Sequence, residues 1–333
     1  MMPYIDLHCD TLTFAMSHNK NDIYRLDSAM ADVERLKRAG AMAQFFAVFF
    51  PPENTIENAL PKGLDQLGGD GADDISFFQL ARAVLCGTIK RHSSDIAFAQ
   101  SRKEMEKNFL EKKLSAFLTL EDGRAVDGKM DRLSWFYEQG VRLITLTWNC
   151  PNCFGYPNSR DLESMKKGLT EFGILAVGEM NRLGILVDVS HLSDGGFFDV
   201  AEHSRKPFVA SHSNCRVLTP HPRNLTDEMI HTLAEHGGAA GLNLAIPFVR
   251  RAPEEKKSTV AALADHAMHL FYKGGEDLPA IGTDFDGIEG VLEIDEPGKM
   301  ELFFEELSKR GLTESQIEKI AYKNVQRVLG SLD

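Results

Sequence analysis

The chain has 333 residues, 43% hydrophobic and 26% charged, an ordinary globular composition with ample length for a large core. Its formal net charge of −12 argues against a partner made of nucleic acid and against docking on an anionic membrane surface. No stretch approaches the roughly 18 consecutive apolar residues that cross a bilayer, and neither a secretory leader nor a lipid-anchor tail is expected. Five cysteines, odd in number and sparse, fit a reducing, cytoplasmic setting. Cys150 and Cys153 form a single C-x-x-C pair, read as free thiols because no second pair accompanies it.

In chain order the pattern is strand followed by helix. Residues 4–11 read as a short first strand in which His8 and Asp10 share a face, one pleat apart. Such a pair can grip a cation; it equally describes a buried histidine bonded to its neighbour. Asp27 or Ser28 should cap a helix through Val33 and Leu36, closed by Gly40 at its C-terminal end. Strand two, residues 43–50, is apolar on both faces, as a strand between a barrel interior and outer helices must be. A long insertion follows, with a turn at Gly68–Gly71, a helix capped by Asp74 and a charged helix over 103–113 whose charges make a solvated face.

Strand three, residues 114–123, ends in a carboxylate, Glu121. Strand four runs over 141–148 to Trp148, and a helix over 170–183 follows with an unassigned start. Strand five, 185–191, ends at His191, and Ser193 caps the next helix. Strand six, 207–212, ends at His212. Strand seven covers 239–244, and a long helix spans 259–273. Strand eight, 279–287, carries Asp284. A capping box, Thr313 with Gln316, opens the last helix. Eight apolar strands with intervening helices predict an α/β fold: one (β/α)8 TIM barrel domain over residues 1–333, with a helical insertion after strand 2.

His8, Asp10, Glu121, His191, His212 and Asp284 all fall at C-terminal strand ends, the rim on which such barrels build their sites. Each has a bland alternative, a satisfied core histidine or a turn aspartate. All of those alternatives holding together, on five different strands, is a poor account of the pattern. Three imidazoles and several carboxylates at one mouth repel and desolvate one another unless divalent cations compensate. Imidazole with carboxylate favours zinc, with manganese, iron or cobalt as substitutes. Five ligands exceed what one open tetrahedral zinc takes, so the count points to two metals with a shared carboxylate. The other histidines considered, His18, His92, His203, His231, His236, His266 and His269, read as surface or packing residues.

The segments DLHCDT, LTLEDG, VRLITLTWN, LVDVSHLSD, VASHSN, PRNLTDEM and IGTDFDG, in order along almost the whole chain, resemble the membrane dipeptidase (renal dipeptidase) family, peptidase family M19. The resemblance implies that His8 and Asp10 bind one Zn2+, that His191 and His212 bind a second, and that Glu121 bridges them around a water or hydroxide. It implies that Arg223 holds the substrate carboxylate and that Asp284 contacts the substrate amine or handles protons. Where mammalian relatives carry a histidine at the end of strand four, this chain has Trp148, with Asn149 beside it as a substitute donor to the scissile carbonyl. A homodimer is the family expectation; the membrane anchor does not carry over.

The expected reaction is hydrolysis of a dipeptide by metal-activated water, with Asp284 accepting and passing on the proton and Glu121 holding the metals. A D-residue on the C-terminal side is compatible with the family. Two rivals remain. One is another binuclear amidohydrolase, acting on a cyclic amide, lactone or phosphoester; many such barrels use a modified lysine at the end of strand four, where Trp148 stands. The other is a non-catalytic ligand-binding barrel.

Overall fold

The computed structural model describes residues 2–51 and 73–331. The strands are β1 (Tyr4–Cys9), β2 (Ala41–Phe49), β3 (Ile96–Phe98), β4 (Leu114–Glu121), β5 (Val141–Thr145), β6 (Leu186–Asp188), β7 (Val209–Ala210), β8 (Ala239–Leu242), β9 (Lys257–Ser258), β10 (Pro279–Ile281) and β11 (Val291–Leu292). Strands β1, β2, β4–β8 and β10 are all parallel and close into the expected (β/α)8 barrel. Closure comes at β1 with β10, Asp6 opposite Ile281, and at β2 with β4, in unbroken register from Ala43–Ser115 to Phe49–Glu121.

The core follows from strands buried on both faces. Alternate residues of β2 and β4 fall into two apolar clusters. Phe45 and Phe117 stack at 4.5 Å in a smaller cluster that draws Leu7, Leu143, Leu186, Val209, Ala239 and Ala280 from the other barrel strands. Phe46, Val48, Leu118 and Leu120 pack in a larger one with the surrounding helices.

Several expectations shift by a few residues. The first long helical pattern is the helix Val33–Arg38, capped by Asp32 rather than Asp27 or Ser28; Asp32 accepts N–H bonds from Arg35 and, at 3.1 Å, from Leu26. Gly40 lies just beyond it in the left-handed region, φ 80°, as its C-terminal role requires. Asp73, not Asp74, caps the helix Asp74–Arg91. Thr170 caps the helix Glu171–Leu183 through Gly173 N–H, a plain cap with no return bond. The capping box of Thr313 and Gln316 is present, but the last helix is interrupted by a π-helical turn at Lys319–Lys323. The insertion contains β3, which no pattern announced; it adds to the first half of β4 while β5 takes the second half. The turn expected at Gly68–Gly71 lies outside the described residues. No helix among those described is long and apolar enough to cross a membrane.

The strands stop earlier than their apolar runs. Beyond β4, β6 and β10 the chain passes through left-handed backbone at non-glycine residues: Asp122 (φ 77°), His191 (φ 67°), Asp284 (φ 63°) and Asp286 (φ 69°). Such conformations are costly and gather at functional sites. Here they steer polar side chains onto the barrel mouth.

Candidate active site

His8 lies within β1, while Asp10 follows its end as the N-cap of the helix Thr11–Ser17. Strand pleating alone therefore does not bring the pair together, although His8 Nε2 and Asp10 Oδ2 stand 3.6 Å apart. Glu121, the last residue of β4, occupies the centre. Its Oε2 lies 3.5 Å from His8 Nε2. Its Oε1 lies 3.1 Å from His191 Nε2 and 3.4 Å from His212 Nε2. Those two imidazole nitrogens are 3.1 Å apart, and the His8 and His212 rings stack at 3.9 Å. Asp284 Oδ1 is 3.8 Å from His8 Nε2. All six side chains predicted for the rim thus converge, from the ends of five strands.

The donor set fits divalent cations. One ligand atom each from His8, Glu121 and His212, and again from His8, Asp10 and Asp284, fall within 4.8 Å of one another. His8 Nδ1, His8 Nε2, Asp10 Oδ1 and His191 Nδ1 are buried with no hydrogen-bond partner, which is costly unless something else meets them. The electrostatics agree. Burial alone would push the His8 pKa down, yet Glu121 and Asp10 hold it well above the usual range. Burial opposes ionisation of Glu121, but His8, His191 and His212 pull its pKa well below normal. Burial and the charge of Glu121 raise Asp10 to about 6. Burial, with Asp10 and Glu121 opposing His8, raises Asp284 to about 7. A cluster that forces a proton onto a buried imidazole is one whose negative charge calls for cations.

Asp10, Glu121, His191 and Asp284 line a cavity of about 870 Å³ together with Arg223, Trp148 and Asn149. Arg223 is buried; it donates to Ser213 Oγ at 3.0 Å and to the His212 carbonyl at 3.1 Å, and its guanidinium lies 5.3 Å from the centre of the Phe248 ring. Its Nε has no partner. Trp148, expected on strand four, sits three residues past the end of β5 and meets the Phe49 ring edge-on at 4.8 Å. Its loop is tied down by Asn152, which donates to Asp122 Oδ1 (2.7 Å) and the Leu146 carbonyl (2.8 Å).

Sequence reasoning passed over several contributors. Asn243, just past β8, donates to Asp284 Oδ2 at 2.8 Å and so turns Oδ1 toward His8. A lone amide inside an otherwise apolar run was the available signal. His221 lines the cavity beside Arg223, whose backbone N–H it accepts at 3.2 Å; nothing in its local sequence distinguishes it. Gly287 allows close approach: a β-carbon there would lie 2.1 Å from Asp10 Oδ2 and 2.6 Å from Asp284 Oδ1.

Comparison with known proteins agrees with this geometry. A family model described as membrane dipeptidase (peptidase family M19) matches residues 1–333. An uncharacterized dipeptidase of Schizosaccharomyces pombe is 30% identical over 301 residues, 89% of this chain and 71% of that protein. The dipeptidase verJ of Clonostachys rogersoniana is 28% identical over 344 residues, 100% of this chain and 84% of that one. A metallopeptidase from Rhodobacter sphaeroides, crystallised with a phosphinate mimic of L-Ala-D-Ala, superposes with a TM-score of 0.85 at 26% identity, covering 98% of each chain. The chain belongs to the membrane dipeptidase family, peptidase family M19, and is a metal-dependent dipeptidase on a (β/α)8 barrel.

Proposed function

We propose that the chain cleaves dipeptides with two divalent cations, zinc by the chemistry of its donors, held by His8 and Asp10 on one side, His191 and His212 on the other, and Glu121 between them. The observation that carries this is Glu121 itself: one carboxylate oxygen turned to His8, the other to His191 and His212. When bound, such a pair lowers the pKa of a water toward neutrality and polarises a carbonyl. The same donors accept manganese, iron or cobalt.

The chain's own groups do the rest. Arg223 is placed to receive the terminal carboxylate through parallel hydrogen bonds, which favours very short peptides. Asp284 takes the water proton on Oδ1, while Asn243 holds Oδ2, and passes it to the departing amine. Asn149, on the loop anchored by Asn152, offers an amide donor toward the scissile carbonyl, and Trp148 with Phe49 closes that side against water. By likeness to the Rhodobacter enzyme and its L-Ala-D-Ala mimic, a D-residue on the C-terminal side is part of the proposal. The free state of all five cysteines supports a cytoplasmic setting.

The experiment is a screen of L-L, L-D and D-L dipeptides with and without a chelator. Chelator-sensitive cleavage of dipeptides, and not of cyclic amides, lactones or phosphotriesters, is the expected result. Turnover of those other substrates alone would move the chain to the rival reaction class.

A further inference from the structure

Asp188, the last residue of β6, is fully buried and has no part in the chemistry described so far. Its Oδ1 accepts the backbone N–H groups of Ser190 (3.0 Å) and Ser211 (2.8 Å). Its Oδ2 accepts the hydroxyls of Thr145 (2.6 Å) and Ser211 (2.6 Å). Four donors and no acceptor surround it, the environment of an ionised carboxylate. Ser211 Oγ also lies 2.7 Å from Nδ1 of His212. A hydroxyl has one hydrogen, and the charged carboxylate at 2.6 Å takes it in preference to the neutral acceptors in reach, His212 Nδ1 at 2.7 Å and Ser190 Oγ at 3.3 Å. Ser211 Oγ therefore meets His212 as an acceptor, so the ring carries its hydrogen on Nδ1. Its Nε2 is left bare, facing Glu121 Oε1 and His191 Nε2. His8 and His191 lack such a tie: their Nδ1 atoms are buried without a partner.

We propose that Asp188, acting through Ser211, is a positioning pair that fixes the tautomer of His212. Given the reading of His212 as a cation ligand, the pair prepares one of the two cation positions by presenting a lone pair there.

The Asp188→Asn variant tests this sharply. The amide oxygen must take the Oδ1 place, because two N–H groups point at it. The NH2 then faces the hydroxyls of Thr145 and Ser211, which must turn to accept. The Ser211 hydrogen swings to His212 Nδ1, and the ring is driven to carry its own hydrogen on Nε2, where it blocks the cation. Long-range 1H–15N spectra of histidine-labelled metal-free protein should show His212 as Nδ1–H in the wild type and Nε2–H in Asp188→Asn. Zinc titration should show one of two sites weakened about 10- to 100-fold or lost in that variant. Ser211→Ala, which frees the ring without forcing it, should give mixed tautomers and a smaller loss. Thr145→Val removes an equally short bond from the same oxygen; it should lower stability yet keep the tautomer and the zinc. A purely structural carboxylate predicts the reverse, with the isosteric asparagine the mildest change. An Nε2–H ring in the wild type, or the same tautomer in wild type, Asp188→Asn and Ser211→Ala, overturns the proposal. If the wild type binds no zinc, the metal reading of His212 fails separately, and the spectra still decide the tautomer.

Discussion

Replacing Arg223 by alanine separates binding from chemistry. Within the fold it removes two hydrogen bonds, to Ser213 Oγ and the His212 carbonyl, and the contact with Phe248. At about 1 kcal/mol per bond, with the freed partners reached by water from the open cavity, the stability loss is roughly 2 kcal/mol. In the substrate complex it removes a buried cation from a carboxylate. Two charge-assisted bonds are worth roughly 3–5 kcal/mol together, of which water in the vacated space restores part. The carboxylate lies away from the reacting bond, so the interaction is equal in ground and transition states and the loss falls on KM. At 1.4 kcal/mol per tenfold, KM should rise on the order of 100-fold with kcat changed far less. The assay is steady-state hydrolysis of a dipeptide and of its C-terminal amide by both enzymes. The wild type should strongly prefer the free acid and the variant should not. An unchanged KM, or a variant that still prefers the acid as the wild type does, would refute the carboxylate role.

Three other substitutions have effects set by the packing around them. Gly287→Ala places a methyl against the carboxylates of Asp10 and Asp284; displacing them by about 1 Å should cut kcat/KM on the order of 100-fold, with melting little changed. Thr313→Ala breaks the capping box far from the cavity and should cost about 1 kcal/mol in denaturant unfolding with activity intact. His266 is buried with Nδ1 accepting Cys215 N–H at 3.1 Å, and burial lowers its pKa to about 4. Its folded value lies below the unfolded 6.5, so the unfolded chain binds the extra proton first. Its contribution is whole above pH 6.5 and lost progressively as pH falls toward 4, on the order of 3 kcal/mol in all. His266→Gln should flatten that part of the stability-against-pH curve; an unaltered slope would remove His266 as its source.

The barrel was legible because β2 and β4 are long enough to show largely apolar runs buried on both faces, and because the one ionisable residue in them, Glu121, stands at an end. Glu121 and His212 were found that way. The three-residue β3 was not, since Ile96–Phe98 is too short to carry a period and is held by its edge pairing to β4. The strand lengths were overread for a related reason. Residues such as Val189 and Phe285 remain buried and apolar after the backbone has left the strand, so composition continues where the regular ladder gives way to single bonds. Asp10 was placed correctly by a partly wrong route: the helix start at Thr11, not the pleat, turns it toward His8. Asp188, Ser211 and Asn243 stayed hidden because their work is to orient another side chain. That depends on which strands are neighbours across β5, β6, β7 and β8, which local pattern does not carry.

If Glu121 holds two cations between two pairs of ligands, its removal must change the metal content of the chain. The direct measurement is the metal-to-chain ratio of purified protein by elemental analysis, for the wild type and for Glu121→Ala. Two divalent ions per wild-type chain are expected, and no more than one, loosely held, once the shared carboxylate is gone. A wild-type chain that holds no metal after loading, or a Glu121→Ala chain that keeps both ions, would contradict that shared role.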